Sequence, residues 1–354
     1  MNLPAWTSDH PIISHIPRGC QAFPLKRLPC TSIGLHFKDC ASPLPTNEKS
    51  LDSTQAAQVN VYCSAHSSDG PIDSAEAMLV KNPLELTESI IVNSREASMG
   101  GSGWPDLYTF VSGACGATGF STGIARFKSG NRLPYHTHPF SEAITVLEGR
   151  ARVLVEGRAY LLSAQDCVHI PNGIAHQVEN QAGGEELVVH WSFATAEPTR
   201  DLIDRAFKLE DRGLGSPSPA DPETIVRYEE DAVYELSTNA FFIDLFARRF
   251  GAVGICGGHR RFLPGASLPC HIHDFDESIT ITKGTAVCLV EGRRYELSGC
   301  DTAFIPKGLP HRFMNLSNGE MAMVWVYAGS EPDRRMVDSQ YCSGELAWPG
   351  PQIA

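Results

Sequence analysis

The chain has 354 residues, of which 42% are hydrophobic and 20% are charged, so it is long enough for two globular domains and unlike a disordered protein. Its 29 basic and 41 acidic side chains give a net charge of −12, which argues against nucleic acid as a partner because phosphates would be repelled. No apolar run approaches the roughly 18 residues that span a bilayer, and the first residues lack an apolar stretch of signal-peptide type. We therefore expect a cytoplasmic protein without a membrane partner.

The 11 cysteines are scattered without a Cys-x-x-Cys pair, which in a chain of this length does not indicate a disulfide framework. We expect most of them to be small buried hydrophobic residues in a reducing compartment. Cys270 directly precedes His271, and because neighbouring residues on a strand face opposite sides, Cys270 should face away from any site that His271 enters.

Residues 1–77 differ from the rest of the chain. Prolines, serines and cysteines are scattered through them without the period of a strand or of a helix. Met78 begins a stretch of short apolar runs separated by turn signals. We predict that residues 1–77 are disordered or form an upstream extension that the mature protein lacks, the alternative being an arm packed on the domain surface.

An internal repeat organises the remainder of the chain. Residues 156–163 recur 135 positions later as residues 291–298, and the same offset relates several glycines and prolines on either side. A repeat of this kind indicates two homologous units. We assign the first domain to residues 105–195 and the second to residues 241–340, with residues 196–240 as a helix and linker between them.

Each unit is predicted to be all β. Short runs of β-branched and aliphatic residues, such as 143–147 and 151–155, alternate with glycine turns, which argues for a sandwich or barrel. Short flanking helices are predicted near 198–210, where proline opens an apolar pattern at helical spacing, and near 332–338. Residues 213–219 have the composition of a linker.

Both units carry the same four potential metal ligands. Two histidines two positions apart project from one face of a strand, a glutamate of the same parity follows, and a third histidine must come from a strand brought alongside. The two sets are His136, His138, Glu142 and His176, and His271, His273, Glu277 and His311. Imidazole and carboxylate suit Fe, Mn, Ni, Co or Zn and leave open positions on an octahedral ion. We expect one divalent first-row transition metal per domain, with Glu142 and Glu277 as candidate catalytic residues.

Two motifs carry a family resemblance. The pattern Gly-x5-His-x-His-x3-Glu-x6-Gly in residues 130–149, repeated in residues 265–284, resembles the first cupin motif at every fixed position. The pattern Pro-x-Gly-x2-His-x3-Asn in residues 171–180 and 306–315 resembles the second. The resemblance implies a bicupin, with two tandem double-stranded β-helix barrels of jelly-roll type, each holding one metal. Both copies of the second motif lack its leading glycine, which shapes a turn; Gln165 and Cys300 stand there instead.

The family includes dioxygenases, decarboxylases, isomerases, lyases and binding proteins, so fold alone does not give function. Similarity to quercetinase-like bicupins favours dioxygenase chemistry on a small oxygen-rich metabolite. The alternatives are a metal-dependent isomerase or decarboxylase and a non-catalytic protein that binds a sugar or small metabolite. Oxalate decarboxylase-like bicupins typically carry an arginine where Leu133 and Leu268 stand here, and gentisate dioxygenase-like bicupins usually lack the ligand glutamate.

The surroundings of the two sites differ. Asp274 and Asp276 lie beside the second set only; we interpret them as solvated turn residues, with a general base or a hydrogen-bond acceptor for a ligand histidine as the alternative. On the strength of that alternative we predict that the second site carries the chemistry and that Glu277 is essential for it. Val178 and Phe313, which share parity with the last histidine of each set, should line the barrel interiors.

The remaining polar residues near the motifs receive weaker assignments. Arg126 and Arg261 are duplicated on the strand before the histidines and could hold a substrate carboxylate or serve the structure. Three unduplicated histidines are interpreted as structural: His169, His190 and His259. Two duplicated asparagines, Asn180 and Asn315, are interpreted as turn residues or as residues that support the ligands, rather than as ligands. We expect a small-molecule substrate or ligand, and a monomer or homodimer.

Overall fold

The computed structural model describes residues 78–80, 103–181, 183–228 and 233–350. In these residues the chain forms 24 strands in four sheets and one short α-helix. The prediction for residues 1–77 lies outside the described residues. No helix in the described part of the chain has the length and apolar character that crossing a bilayer would need.

The first barrel has two six-stranded sheets. Its strands are β2 (Asp106–Val111), β3 (Ser121–Phe127), β4 (Arg132–Thr137), β5 (Glu142–Glu148), β6 (Arg150–Val155), β7 (Arg158–Ser163), β8 (Cys167–Ile170), β9 (His176–Glu179), β10 (Leu187–Phe193), β11 (Asp201–Leu202), β12 (Glu210–Gly213) and β13 (Thr224–Val226). One sheet has the order β13-β8-β5-β10-β3-β2, and the other has the order β11-β4-β9-β6-β7-β12.

The second barrel repeats this arrangement. Its strands are β1 (Met78–Val80), β14 (Tyr234–Ser237), β15 (Ala240–Phe246), β16 (Cys256–Phe262), β17 (His271–Ile272), β18 (Glu277–Lys283), β19 (Thr285–Val290), β20 (Arg293–Ser298), β21 (Thr302–Ile305), β22 (His311–Met314), β23 (Met321–Tyr327) and β24 (Arg335–Met336). The sheet orders are β1-β21-β18-β23-β16-β15-β14 and β20-β19-β22-β17-β24. The central order β8-β5-β10-β3 therefore recurs as β21-β18-β23-β16. The predicted tandem double-stranded β-helix barrels are confirmed.

Three apolar clusters hold the described residues together. One fills each barrel and is built from inward-facing residues of its central strands. Val178 and Phe313 belong to these interiors and are 2% and 0% exposed, as their parity predicts. The third cluster lies between the barrels and includes Phe120 and Phe304, whose ring centroids are 6.5 Å apart. The barrels therefore pack through an apolar interface that stiffens both.

Hydroxyl groups and one histidine add polar contacts to that interface. Thr122 Oγ1 lies 3.0 Å from Ser278 Oγ, and His190 Nε2 lies 3.2 Å from Thr280 Oγ1. All four side chains are buried, so each pairing satisfies groups that water does not reach.

The helix predicted for residues 198–210 is wrong. Asp201–Leu202 form β11, which pairs with β4 so that Leu202 lies opposite His136. Glu210–Gly213 form β12, which runs parallel to β7. These short strands satisfy the open edges of β4 and β7, and that pairing outweighs a local apolar spacing of helical type.

The helix predicted for residues 332–338 is also misplaced. Arg335–Met336 form the edge strand β24 beside β17. The single α-helix of the described residues, α1, follows at Ser339–Ser343, where the Asp338 carboxylate caps it by accepting a hydrogen bond from the Gln340 amide.

One disulfide corrects the expectation of free cysteines. Cys270, immediately before β17, is bonded to Cys342 in α1. Four other described cysteines are free thiols: Cys167, Cys256, Cys288 and Cys300. Cys270 points away from the ligand cluster, as predicted. The spacing of the cysteines along the chain did not indicate its pairing with Cys342, because α1 brings that residue from 72 positions away.

Candidate metal centres

In the first barrel the four predicted ligands converge. His136 lies on β4, Glu142 and His176 begin β5 and β9, and His136 is paired directly opposite His176. Glu142 Oε2 is 2.6 Å from His176 Nε2 and 3.2 Å from His138 Nε2. One ligand atom from each residue lies within 4.8 Å of the others, and all four side chains are buried.

The second barrel assembles the equivalent four. His271 on β17 is paired opposite His311 on β22, and Glu277 begins β18. Glu277 Oε2 is 2.7 Å from His311 Nε2 and 3.5 Å from His273 Nε2. This cluster is also buried and equally compact. The four residues that the sequence pattern assigned to each barrel therefore lie together in one cluster.

Backbone carbonyls fix the orientation of all six histidine rings. Each Nδ1 lies 2.5–2.9 Å from a carbonyl oxygen, to which it donates its hydrogen. The acceptors are Pro134, Thr199, Ile174, Pro269, Asp333 and Leu309. A ring that donates from Nδ1 presents the lone pair of Nε2, so each imidazole offers one coordinating atom to the centre of its cluster.

Burial also sets the charge of the ligands. Burial lowers the pKa of His136 and His271 well below the ordinary value, and neighbouring histidines act in the same direction. Burial alone would raise the pKa of Glu142 and Glu277, but the surrounding histidines outweigh it and hold both well below their usual range. Neutral imidazoles and ionised carboxylates are the forms that coordinate a cation.

A bound cation would satisfy polar atoms that otherwise lack partners. Among the described residues, buried atoms without a hydrogen bond include both carboxylate oxygens of Glu277 and the Nε2 atoms of five histidines: His136, His138, His271, His273 and His311. A buried polar atom without a partner costs about 1–3 kcal/mol. Three imidazoles and one carboxylate directed at one point suit a divalent transition metal.

The structure identifies a buried arginine at the second cluster that the sequence did not single out. Arg260 on β16 is 0% exposed, and its Nη1 lies 3.7 Å from Glu277 Oε1. The duplicated neighbours Arg126 and Arg261 instead pair with Glu186 and Glu320 on the outer faces of the barrels. These pairs agree with a structural role for Arg126 and Arg261. Because neighbouring side chains on β16 face opposite sides, an outward Arg261 places Arg260 inside the barrel.

The two aspartates beside the second cluster have different roles. Asp274 is exposed, as expected of a turn residue. Asp276 is 4% exposed, and its carboxylate accepts hydrogen bonds from the backbone amides of Thr118 and Lys307 and from the Thr118 hydroxyl. The interpretation of Asp276 as a solvated charge is wrong, because the side chain is buried and its carboxylate joins the two barrels.

The turns with the missing cupin glycine keep the glycine-type backbone. Gln165 and Cys300 have φ of 75° and 65°, in the left-handed region. Their amides donate to Val146 and Ile281, so the turns bond to β5 and β18, which begin with the ligand glutamates. Asn180 and Asn315 have turn roles, donating to backbone carbonyls on either side of a loop.

Comparison with protein families gives two matches to the cupin domain, at residues 123–193 and 258–327. Each match contains one complete ligand set. Among curated proteins, a polyketide synthase, CurC, from Streptomyces cyaneus is 35% identical over 92 residues. That similarity covers 25% of this chain and 59% of the relative, so the chain spans well under two thirds of it.

Solved structures with a similar fold include oxalate decarboxylases. One from Lactobacillus farciminis, in complex with formate, has a TM-score of 0.55 at 14% identity, covering 67% of this chain and 85% of that one. A deletion mutant of the Bacillus subtilis enzyme has a TM-score of 0.55 at 15% identity, covering 67% and 76%. A further structure of that enzyme, with Mn(II) centres, has a TM-score of 0.51 at 14% identity, covering 74% of both chains. At these identities the likeness establishes the fold.

Proposed function

The chain is a bicupin of the cupin superfamily, and on that basis we propose that it is a metal-dependent enzyme that acts on a small oxygen-rich metabolite, with dioxygenase-type chemistry. One observation carries the proposal: both barrels hold a complete, buried set of three histidines and one glutamate, with every Nδ1 committed to a carbonyl. A purely structural role for the metal would tolerate the loss of one set, and neither set has been lost.

Each set would hold one divalent ion, and Fe, Mn, Ni, Co and Zn all suit its donor atoms. The ion would supply Lewis acidity towards substrate oxygens and, in the case of iron, reactivity towards dioxygen. Manganese gains support from the Mn(II) centres of the similar oxalate decarboxylase.

The protein side chains would orient the substrate and handle protons. Glu277 and Glu142 remain the proposed catalytic residues, because each is an ionised carboxylate at the centre of its cluster. Glu277 has a second oxygen, Oε1, without a hydrogen-bond partner, which can accept a proton or hydrogen bond from a bound hydroxyl group.

Decarboxylation is the second candidate, because several similar structures are oxalate decarboxylases. At the positions where such proteins typically carry an arginine, this chain has Leu133 and Leu268, which are buried among apolar residues at 6% and 1% exposure. The arginine typical of those proteins is thus absent from both positions, and on that ground we favour oxygen-dependent chemistry over decarboxylation. Isomerase activity and non-catalytic binding of a sugar or small metabolite are the remaining alternatives.

Metal analysis combined with a substrate screen tests the proposal. Purified protein would be stripped by chelation, reloaded separately with Fe(II), Mn(II) or Ni(II), and offered catechols, flavonols and keto acids while oxygen uptake and carbon dioxide release are followed. The expected result is metal-dependent oxygen uptake by the wild type that Glu277→Gln abolishes, whereas Glu142→Gln mainly reduces stability or metal content. Carbon dioxide release without oxygen uptake would favour decarboxylation, and tight binding without turnover would favour the binding protein.

The cellular location is proposed separately from the activity. The scatter of the 11 cysteines without a Cys-x-x-Cys pair favours the reducing cytoplasm, whereas the Cys270–Cys342 disulfide favours an oxidising compartment. Alkylation of protein extracted under acid conditions would distinguish them, since a cytoplasmic pool would carry both thiols reduced. We also propose a small-molecule substrate, no nucleic-acid or membrane partner, and a monomer or homodimer.

A further inference from the structure

Arg260 has a buried guanidinium with unused hydrogen-bond donors. It projects into the second barrel, where its Cζ lies 4.7 Å from the ring centroid of Phe242 and 5.0 Å from that of Trp325. Nη2 donates to the hydroxyl of Tyr327, whereas Nε and Nη1 have no hydrogen-bond partner in the described residues. Because Nη1 lies 3.7 Å from Glu277 Oε1, these unused donors border the metal cluster.

Arg334 brings a second guanidinium to the same place. Its Cζ lies 5.5 Å from the ring centroid of Phe242, the ring that Arg260 also contacts, and its buried Nη1 has no hydrogen-bond partner within the described part of the chain. The preceding carbonyl, of Asp333, accepts the Nδ1 hydrogen of the ligand His273, so Arg334 is held next to the cluster. Burial lowers the pKa of Arg334, and the charge of Arg260 acts in the same direction. An arginine nevertheless stays protonated near neutral pH.

The charges around the second cluster are not balanced. Glu277 is the one carboxylate in the cluster, whereas Arg260 lies beside it and Arg334 lies over the same Phe242 ring as Arg260. The nearby carboxylate of Asp244 is already occupied, because it accepts a hydrogen bond from the Tyr234 hydroxyl and pairs with Arg249 at 3.3 Å. A divalent ion would add two further positive charges. A buried excess of positive charge is costly unless an anion compensates it, so this centre favours a negatively charged ligand.

The first barrel lacks this arrangement. Ala125 stands at the position equivalent to Arg260, and Phe193 stands at that of Tyr327. Arg200 is the counterpart of Arg334, so at most one guanidinium is available from these positions. The ligand sets are duplicated, but the buried pair of arginines is a property of the second barrel alone.

We propose that the second metal centre binds a small carboxylate, whose negative charge is held by Arg260 and Arg334 while another of its oxygens reaches the metal. The inference rests on the proposed metal-dependent function and names the substrate class for one of its two sites. Planar guanidinium groups match carboxylates in geometry as well as charge. Tyr327, whose hydroxyl accepts from Arg260, keeps its own hydrogen free to donate to the same ligand.

Coupling between metal and carboxylate tests the inference without any turnover. Two single-site proteins are needed: His136→Ala/His138→Ala, which keeps the second centre, and His271→Ala/His273→Ala, which keeps the first. Mn(II) affinity would be measured by calorimetry with and without pyruvate or salicylate, and with their neutral amides as matched controls. We expect the carboxylates to raise the Mn(II) affinity of the second centre by at least about fivefold. The Mn(II) affinity of the first centre, and that of either centre with the amides, should change by less than about twofold.

Substitutions then assign the effect to the two arginines. Arg260→Gln and Arg334→Gln in the second-centre protein should each weaken carboxylate binding by about tenfold or more, since each removes a charge-assisted contact. Arg334 is only partly buried, so its variant keeps the test valid if Arg260→Gln lowers the folded fraction. Arg200→Gln, the counterpart in the first barrel, should leave carboxylate binding at the second centre unchanged.

The outcomes separate this inference from the proposed function. If the second centre binds Mn(II) but neither carboxylate couples to it, or if both arginine variants bind carboxylates normally, the arginines serve only to balance Glu277 and the inference is wrong. The metal-dependent function would survive that result. If neither single-site protein binds a transition metal, both proposals fail together.

Discussion

The Asp276 carboxylate in the second barrel accepts two hydrogen bonds from Thr118 in the first, from its backbone amide and from its hydroxyl, each 2.8 Å long. Asp276 directly precedes the ligand Glu277, so the same short segment joins the barrels and begins the strand that carries a metal ligand. Barrel packing and site geometry are therefore linked through one aspartate.

We predict that Asp276→Ala lowers the free energy of unfolding by about 2–3 kcal/mol, because two backbone amides and a hydroxyl lose a charged acceptor. Denaturant titration would measure it. The exposed neighbour provides the matched control, since Asp274→Ala should change stability by less than about 0.5 kcal/mol. Equal effects from the two variants would contradict the role assigned to Asp276.

Metal content should follow the two ligand sets independently. Purified protein should carry one to two first-row transition ions per chain, lost on chelation, and His136→Ala/His138→Ala should abolish binding at the first centre while sparing the second. His271→Ala/His273→Ala should do the reverse, because no ligand is shared between the clusters. Plasma mass spectrometry would count the ions. Full metal content in either double variant would show that the ligands are misassigned.

The buried histidine at position 169 should make stability depend on pH. Burial lowers the pKa of His169 from 6.5 to about 4, so the folded protein keeps it neutral while the unfolded chain takes up a proton below pH 6.5. Its stabilising contribution is therefore complete above pH 6.5 and is lost as the pH falls towards 4, by up to about 1.4 kcal/mol per pH unit.

His169→Phe should flatten that dependence while leaving stability near pH 8 almost unchanged. Neither ring nitrogen of His169 has a hydrogen-bond partner among the residues that the structure describes, and phenylalanine already stands at the equivalent position of the second barrel, as Phe304. Unfolding free energies of the two proteins between pH 4 and 8 provide the comparison. Parallel curves would mean that His169 does not titrate differently in the folded and unfolded states.

Restoring the missing glycine of the second cupin motif should stabilise the protein. Gln165→Gly relieves a side chain at φ 75° and should raise the free energy of unfolding by about 0.5–1 kcal/mol. Gly173→Ala is the opposite control: its φ is 76°, and an added Cβ meets nothing within 4 Å, so only backbone strain would act against it. Thermal unfolding of both variants should show changes of opposite sign.

Loss of the disulfide should affect one metal centre more than the other. Cys270→Ser/Cys342→Ser opens a bond between residues 72 positions apart and should cost about 2–4 kcal/mol of stability. Because Cys270 adjoins the ligand His271, Mn(II) should also bind more weakly at the second centre, with the first unchanged. Calorimetry on single-site proteins would measure it, and equal weakening at both centres would point to general destabilisation instead.

The ligand sets could be predicted from sequence because they depend on short, fixed spacings that occur twice. Strand parity placed His136 and His138 on one face, and the repeat gave His271 and His273 the same role. The same reliance on duplication missed Arg260. Arg260 has no counterpart in the first unit, whereas the adjacent Arg261 has one. The repeat therefore singles out Arg261, which faces outward.

The remaining errors concern contacts between distant parts of the chain. Strands β11 and β12 are two and four residues long, and their conformation depends on the edges of β4 and β7 rather than on their own composition. The buried state of Asp276 depends on Thr118, 158 positions earlier, and local sequence carries no trace of that contact. Short-range patterns therefore predicted the barrels and ligands, but not the edges, the disulfide or the joint between barrels.

Strand β1 has a consequence for dividing the molecule. Its residues, Met78–Val80, precede the first barrel, yet they pair with β21 and complete a sheet of the second. A fragment that starts after the linker would leave the edge of β21 open, and an unpaired edge invites association with other chains. The two repeats are thus interleaved along the chain, and an isolated second half must be supplied with residues 78–80 to reproduce its native sheet.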